Sequence, residues 1–341
     1  MKTSLRIIKK IYSYKLLFCS VTLFFILSIS INAEIIIECE TKTFPGGLIR
    51  VFAVANEKIE NLYVLLNTEK GEKIARFEGF KYNPEQIIGY TNRSNIECMV
   101  AIISTGSTIK YGKYIAAVYI NNEDSSIKEF PLVIEQKEFM RETITLNENL
   151  SDLRSDNSER RERESKELSK LLSIFNKENV FTETSVIKPV IAEPCYITSR
   201  YGDIRKFVYK DGGTEGSIHN GIDYAAAAGS FIFSAAAGKV VLAGDRLITG
   251  NSVVIEHLPG LYSLYYHLDK LYVTEGMFVS KGATIGSLGS TGLATGPHLH
   301  WEIRNQRITI DPDFLIANPM IDKDKIISII KNSFTDMAEG R

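Results

Sequence analysis

Histidine is scarce in this chain of 341 residues: there are five, and none precedes His219. Imidazole chemistry is thereby excluded from the first 218 residues. Tryptophan occurs once and cysteine four times. Cys19 stands too early in an N-terminal apolar run to serve as a lipid-attachment site. The other three, Cys39, Cys98 and Cys195, are too few and odd in number for a disulfide scaffold. Cys39 and Cys98 fall in strand-like segments of one region. They could pair, or stay buried as small apolar thiols. Acidic residues are missing from the first 33 positions, which hold five basic ones. Of 40 basic and 41 acidic side chains, 35 and 41 remain beyond that point. A net negative body argues against a nucleic-acid partner, which calls for a concentrated basic face. Low-complexity tracts are absent, and a 44% apolar composition is enough to build buried cores.

The basic stretch ending at Lys15, the uncharged apolar run Leu16 to Ile31 and the pair Asn32-Ala33 follow the order of a secretory signal, with cleavage expected after Ala33. The same segment reads as an uncleaved anchor if Asn32 and Ala33 extend the run toward the roughly 17–25 residues a spanning helix needs. On either reading residues 1–33 direct export. The body then lies in the periplasm or cell envelope, attached to the inner membrane in the second case.

The fold expected is mainly β, in four parts after the signal. Residues 34–140 read as an immunoglobulin-like β-sandwich. Its strand candidates are Ile35–Glu38, Leu48–Ala53, Leu62–Leu66, Met99–Ile103, Lys113–Ile120 and Phe130–Ile134, with Pro45-Gly46-Gly47 as a turn. With no histidine, this region reads as a targeting or spacing module. Residues 141–185 form a helical linker. Asp156 and Glu159 mark a helix start, Glu159/Arg163 and Glu162/Lys166 are i,i+4 pairs, and Leu168, Leu171, Leu172 and Phe175 make a docking stripe. Residues 186–316 hold most of the glycines and suggest an antiparallel β domain, with strands at Lys239–Ala243, Ser252–His257, Tyr262–His267 and His298–Ile303. Residues 317–341 form a helical tail that packs through Ile326, Ile327, Ile330 and Phe334.

All five histidines fall between His219 and His300. His219-Asn-Gly-Ile-Asp223 sets an imidazole and a carboxylate four apart, Tyr265-Tyr-His267 ends an apolar strand, and His298-Leu-His300 sets two imidazoles two apart. In a strand, residues i and i+2 face one side. His219, Asp223 and one of the paired histidines would make the three-ligand set of a catalytic zinc site, which leaves a position for water or substrate. The other two of these histidines are then free for proton transfer or oxyanion stabilisation. His257 is read as structural. Glu302 shares the strand face of His298 and His300, where it could support a ligand, form a plain ion pair, or act as a rival base.

With these residues in place, the run Ser199 to Arg304 resembles the lysostaphin/LytM-type zinc endopeptidases. The likeness rests on Ser199-Arg-Tyr-Gly202, His219-Asn-Gly-Ile-Asp223, Gly250-Asn-Ser-Val-Val-Ile-Glu-His257, Tyr266-His267-Leu268 and Gly289-Ser-Thr-Gly292-Leu-Ala-Thr-Gly296-Pro-His-Leu-His300. It implies a LytM-type (duplicated hybrid motif) β domain and one zinc per chain, held by His219, Asp223 and His300. It also implies that His267 and His298 act on substrate and attacking water, and that the substrate is peptide cross-links or stem peptides of peptidoglycan. Two alternatives stand beside it. One is a non-catalytic wall-binding or amidase-activating protein of the same fold. The other is a carrier-like or secretion-adaptor module, since Val273 to Gly286 resembles the hairpins of biotinyl and lipoyl carriers.

Overall fold

The computed structural model describes residues 9–10, 34–83, 96–121, 127–181 and 185–334. The run Leu16 to Ile31, the expected cleavage point at Ala33 and the Phe334 side chain lie outside the described residues. No helix among the described residues is long and apolar enough to cross a membrane.

A two-residue strand, β1 (Lys9–Lys10), pairs with β2 (Glu34–Cys39), which opens the N-terminal sandwich. One sheet is built by β2, β4 (Leu48–Ala55) and β7 (Glu97–Ser104). The other holds β5 (Leu62–Thr68), β8 (Gly112–Ile120), β9 (Lys128–Ile134) and the short β3 (Lys42–Thr43). Strand β6 (Lys73–Lys81) was not foreseen, and it belongs to both sheets. Its first part pairs with β5 and its end, from Gly79, with β7. A side chain at Gly79 would stand 2.9 Å from Leu62, so glycine permits the crossing there. Cys39 and Cys98 are buried free thiols in strands separated by β4, so the pairing considered above does not form.

The two sheets bury different patterns. Strand β5 alternates buried and half-buried positions, whereas every residue of β4 is buried. Ile49, Val51 and Ala53 of β4, with Met99, Ala101 and Ile103 of β7, fill the inside of the sandwich. The intervening Leu48, Phe52 and Val54, with Cys98, Val100 and Ile102, join a second core that runs into the C-terminal domain. The sandwich is therefore docked along a whole sheet face rather than held apart as a spacer.

The linker contributes a strand as well as helices: β10 (Arg141–Thr145), α1 (Glu148–Ser155) and α2 (Glu159–Leu171). Ser158, not Asp156, caps α2, accepting from Arg161 N, while Asp156 accepts from Ser158 N. Leu172, with Leu168 and Leu171, packs on Val254, Tyr262 and Leu264 as the stripe predicts. The C-terminal sheet runs β11 (Tyr196–Ser199), β14 (Ile222–Ala225), β21 (Leu299–Asn305), β18 (Leu261–Leu271), β17 (Gly250–Leu258), β16 (Gly238–Arg246) and β19 (Phe278–Val279). Strands β15 (Phe231–Phe233), β20 (Thr284–Leu288) and β22 (Ile308–Ile310) pair along it. A separate three-stranded sheet joins β10 to β12 (Ile204–Val208) and β13 (Thr214–Ile218). Helices α3 (Pro312–Ala317) and α4 (Lys323–Phe334) close the chain, and Ile326, Ile329 and Ile330 of α4 are buried in the shared core.

Candidate metal centre

Asp223 on β14 and His300 on β21 are direct cross-strand partners. Residues 219–221 turn tightly above them, and a side chain at Gly221 would collide with the Trp301 carbonyl of β21. Glycine at this point lets the turn close, so His219 meets the pair. His219 Nε2 lies 3.1 Å from Asp223 Oδ1 and 2.9 Å from His300 Nδ1, and His300 Nδ1 lies 2.7 Å from Asp223 Oδ1. All three residues are buried.

The outer nitrogens of both rings are already committed. His219 Nδ1 donates to the Arg200 carbonyl at 2.8 Å, and His300 Nε2 donates to Glu302 Oε1 at 2.9 Å. Those partners can only accept, so the protons sit on the outer nitrogens, and two ring lone pairs and a carboxylate oxygen converge. Three acceptors facing one another call for a cation. A tetrahedral zinc with bonds of ~2.0–2.2 Å spaces its ligands roughly 3.3 Å apart, near the spacing found here. The donor set thus fits zinc. Burial alone would lower the His300 pKa, but Asp223 and Glu302 raise it to about 9. Burial opposes ionisation of Asp223 too, yet His300 and His219 hold its carboxyl well below the usual range.

His267 and His298 stand beside this set. Tyr266 pairs with His300 across the strands and stacks on its ring at 5.6 Å. Strict alternation would turn the next residue, His267, to the opposite face. Its φ of 62° breaks the alternation, and its ring returns to within 4.8 Å of the His298 ring and 6.2 Å of the His300 ring. Two bonds hold this uncommon conformation: His267 N donates to Thr249 O at 2.9 Å and Nδ1 to Thr291 O at 2.8 Å. His298 Nδ1 donates to Gly296 O at 2.8 Å. Both histidines therefore turn an unprotonated Nε2 away from the backbone. Burial, with His298 and His300 nearby, lowers the His267 pKa to about 3, and burial also lowers that of His298.

His298 precedes β21 instead of lying within it, and its Nε2 is 4.0 Å from Asp223 Oδ1, against 2.7 Å for His300 Nδ1. The paired histidines thus reach the centre to different depths. Glu302 has both oxygens engaged, one by His300 and the other by Arg304 at 2.6 Å. Although burial opposes it, Arg304 and His300 hold this carboxyl well below the usual range. His257 is remote from the set, bonded to Ala237 O and Ser263 Oγ, as its structural reading expects. Sequence reasoning missed Arg205, which donates to Asp223 Oδ2 at 2.5 Å. No local motif marks it, because it arrives on a strand of the separate sheet.

The five residues line a cleft of about 520 Å³. Ile144, Leu146, Phe207, Ile248, Leu293 and Pro297 add apolar lining to it.

Comparison with known proteins specifies the kind of domain: residues 217–312 match Peptidase family M23. Among characterised proteins it is similar to the peptidoglycan DD-endopeptidase ShyB of Vibrio cholerae, 38% identical over 110 residues, covering 31% of this chain and 26% of that protein. It is also similar to the DD-carboxypeptidase/endopeptidase Mpg of Neisseria meningitidis, 42% identical over 95 residues, covering 28% of this chain and 22% of that one. The chain thus matches about a quarter of the length of these relatives. A solved Pseudomonas aeruginosa structure assigned to peptidase M23 shares the fold at a TM-score of 0.52 and 23% identity, covering 81% of this chain and 95% of that one.

Proposed function

We propose that this protein is an exported zinc endopeptidase that hydrolyses peptide cross-links or stem peptides of bacterial peptidoglycan. The observation that carries the reading is the convergence of His219 Nε2, Asp223 Oδ1 and His300 Nδ1, with both outer ring nitrogens tied to acceptors. The M23 match and the peptidoglycan endopeptidases among its relatives support the substrate class.

The three converging atoms would hold one zinc ion per chain. When bound, zinc supplies Lewis acidity, polarising the scissile carbonyl and acidifying the attacking water. His267 and His298 do the proton work. With pKa values below neutrality both are in the base form at pH 7, and each presents Nε2 to the cleft. One takes the proton of the attacking water and the pair delivers it to the departing amine. Glu302 orients His300 instead of acting as base, since both its oxygens are occupied. The complete five-residue set opposes the non-catalytic alternative.

The test is metal content and digestion of purified peptidoglycan by the full chain. We expect close to one zinc per chain, lost in His219→Ala and Asp223→Ala, and new peptide termini in the digest. Folded wild type free of divalent metal, or inert on peptidoglycan once zinc-loaded, refutes the reading.

A further inference from the structure

The ligand Asp223 is not held by the matched domain alone. Its Oδ1 faces the two histidines, while its Oδ2 accepts from a terminal nitrogen of Arg205 at 2.5 Å. Arg205 Nε in turn donates to Glu142 Oε1 at 2.5 Å. Glu142 stands on β10, directly opposite Arg205 in the parallel β10–β12 ladder, and also accepts from Ser199 Oγ at 2.9 Å. Both Arg205 and Glu142 lie before residue 217, outside the stretch matched to the family.

We infer that Glu142 and Arg205 act together as positioning residues for the zinc ligand Asp223, so that a strand of the linker completes the metal centre. The inference rests on the zinc reading above. A carboxylate has two oxygens and can rotate to offer both to a metal. Arg205 removes that freedom by engaging Oδ2, which leaves Oδ1 as the single ligand atom. The guanidinium can do this because it is a planar fork: Nε is spent on Glu142 and a terminal nitrogen on Asp223, so the plane is fixed from both ends. Glu142 has a second effect. Arg205 is a half-buried positive charge one carboxylate away from the metal position, and Glu142 neutralises it. Across the floor of the cleft the charges then alternate: Glu142, Arg205, Asp223, the metal position, and beyond His300 the pair Glu302 and Arg304.

The test is zinc affinity of the full chain by competition with a chelator, with the unfolding midpoint of the metal-free protein read in parallel. Arg205→Gln should bind zinc roughly 10–100-fold more weakly, the range for partners that orient metal ligands. Arg205→Lys keeps the charge but replaces the planar two-nitrogen fork with a single rotatable ammonium, which does not fix the orientation of Asp223 against Glu142. It should lose nearly as much affinity as Arg205→Gln, where a purely electrostatic role would leave it close to wild type. Glu142→Gln should weaken binding several-fold, and the double variant Glu142→Gln/Arg205→Gln should be no worse than Arg205→Gln alone, because the two act as a unit. Glu142 is partly exposed, so its variant keeps the test open should Arg205 variants fail to fold. Zinc affinity within twofold of wild type in Glu142→Gln or in a folded Arg205→Lys overturns the inference. A wild type that takes up no zinc overturns the zinc reading first, and this inference with it.

Discussion

At the scale of single residues, the candidate centre depends on where protons sit. Each histidine of the cleft has one ring nitrogen committed to a backbone carbonyl or a carboxylate, and that bond decides what the other nitrogen can do. The commitments of His298 and His300 lead to different outcomes on substitution. His298→Ala should retain its zinc and lose activity by roughly 10²–10⁴-fold, as acid–base residues do. Zinc analysis and turnover of a peptidoglycan-derived peptide check this, and loss of metal from His298→Ala with retention in His300→Ala would reverse the roles. His257 gives a prediction away from the metal. It is buried and neutral, and burial lowers its pKa to about 4. The unfolded chain binds a proton at this site near pH 6.5, but the folded chain does so only near pH 4. Stability from His257 is therefore present above pH 6.5 and falls as the pH drops toward 4, by about 2 kcal/mol between pH 7 and about pH 4.5. Urea unfolding of wild type and His257→Gln at both pH values should show the acid loss shrinking by that amount in the variant.

At the scale of elements, the turns around β17 and β18 hold His267 in place. Gly250 has φ of 61°, and a side chain there would run into the Thr291 main chain. Thr249 and Thr291 supply the two carbonyls that fix His267. Gly250→Ala should cost roughly 1–3 kcal/mol and abolish most activity while leaving zinc bound, since no ligand touches this turn. Denaturant midpoints and zinc content on the same preparation separate those effects. The strands and the donor residues were largely legible in the sequence: short strand-like runs between turn glycines marked β16, β17, β18 and β21, and the HxxxD and HxH spacings marked the candidate centre. What stayed hidden was non-local. Glu142 reaches Arg205 by parallel pairing across more than sixty residues of chain, which no local pattern encodes. His267 faces the cleft through a backbone angle that alternation does not anticipate. The docked sheet did leave a trace, for Leu48–Ala55 is apolar at every position except Arg50, close to the mark of a strand covered on both faces.

At the scale of the molecule, the sandwich and the peptidase domain share one core and a set of buried bonds. Arg50 on β4 donates to the Met320 and Pro319 carbonyls and pairs with Glu40, and Asn305 on β21 donates to Ile102 O and Ser104 Oγ, each at 2.8 Å. Removing Arg50 leaves those carbonyls without their donor and Glu40 with only the backbone N–H of residue 50, so Arg50→Ala should cost about 3 kcal/mol, measurable in a denaturant titration. The two parts should also unfold together. The single tryptophan, Trp301 on β21, reports the peptidase domain alone, whereas far-ultraviolet circular dichroism sees both sheets. Coincident midpoints from the two signals are expected, and separated midpoints would show that the domains melt independently.

That shared sheet also constrains how such a chain can be inherited. A module joined by a free linker can be exchanged by recombination at the linker, and either half keeps folding. Here a crossover near residue 141 would strip the apolar outer face of β2, β4 and β7 from α4 and, in the same event, part Glu142 from Arg205 if the break fell just beyond it. The sandwich and the C-terminal domain are thus bound to descend as a pair, and substitutions on one side of the interface should be answered by substitutions on the other.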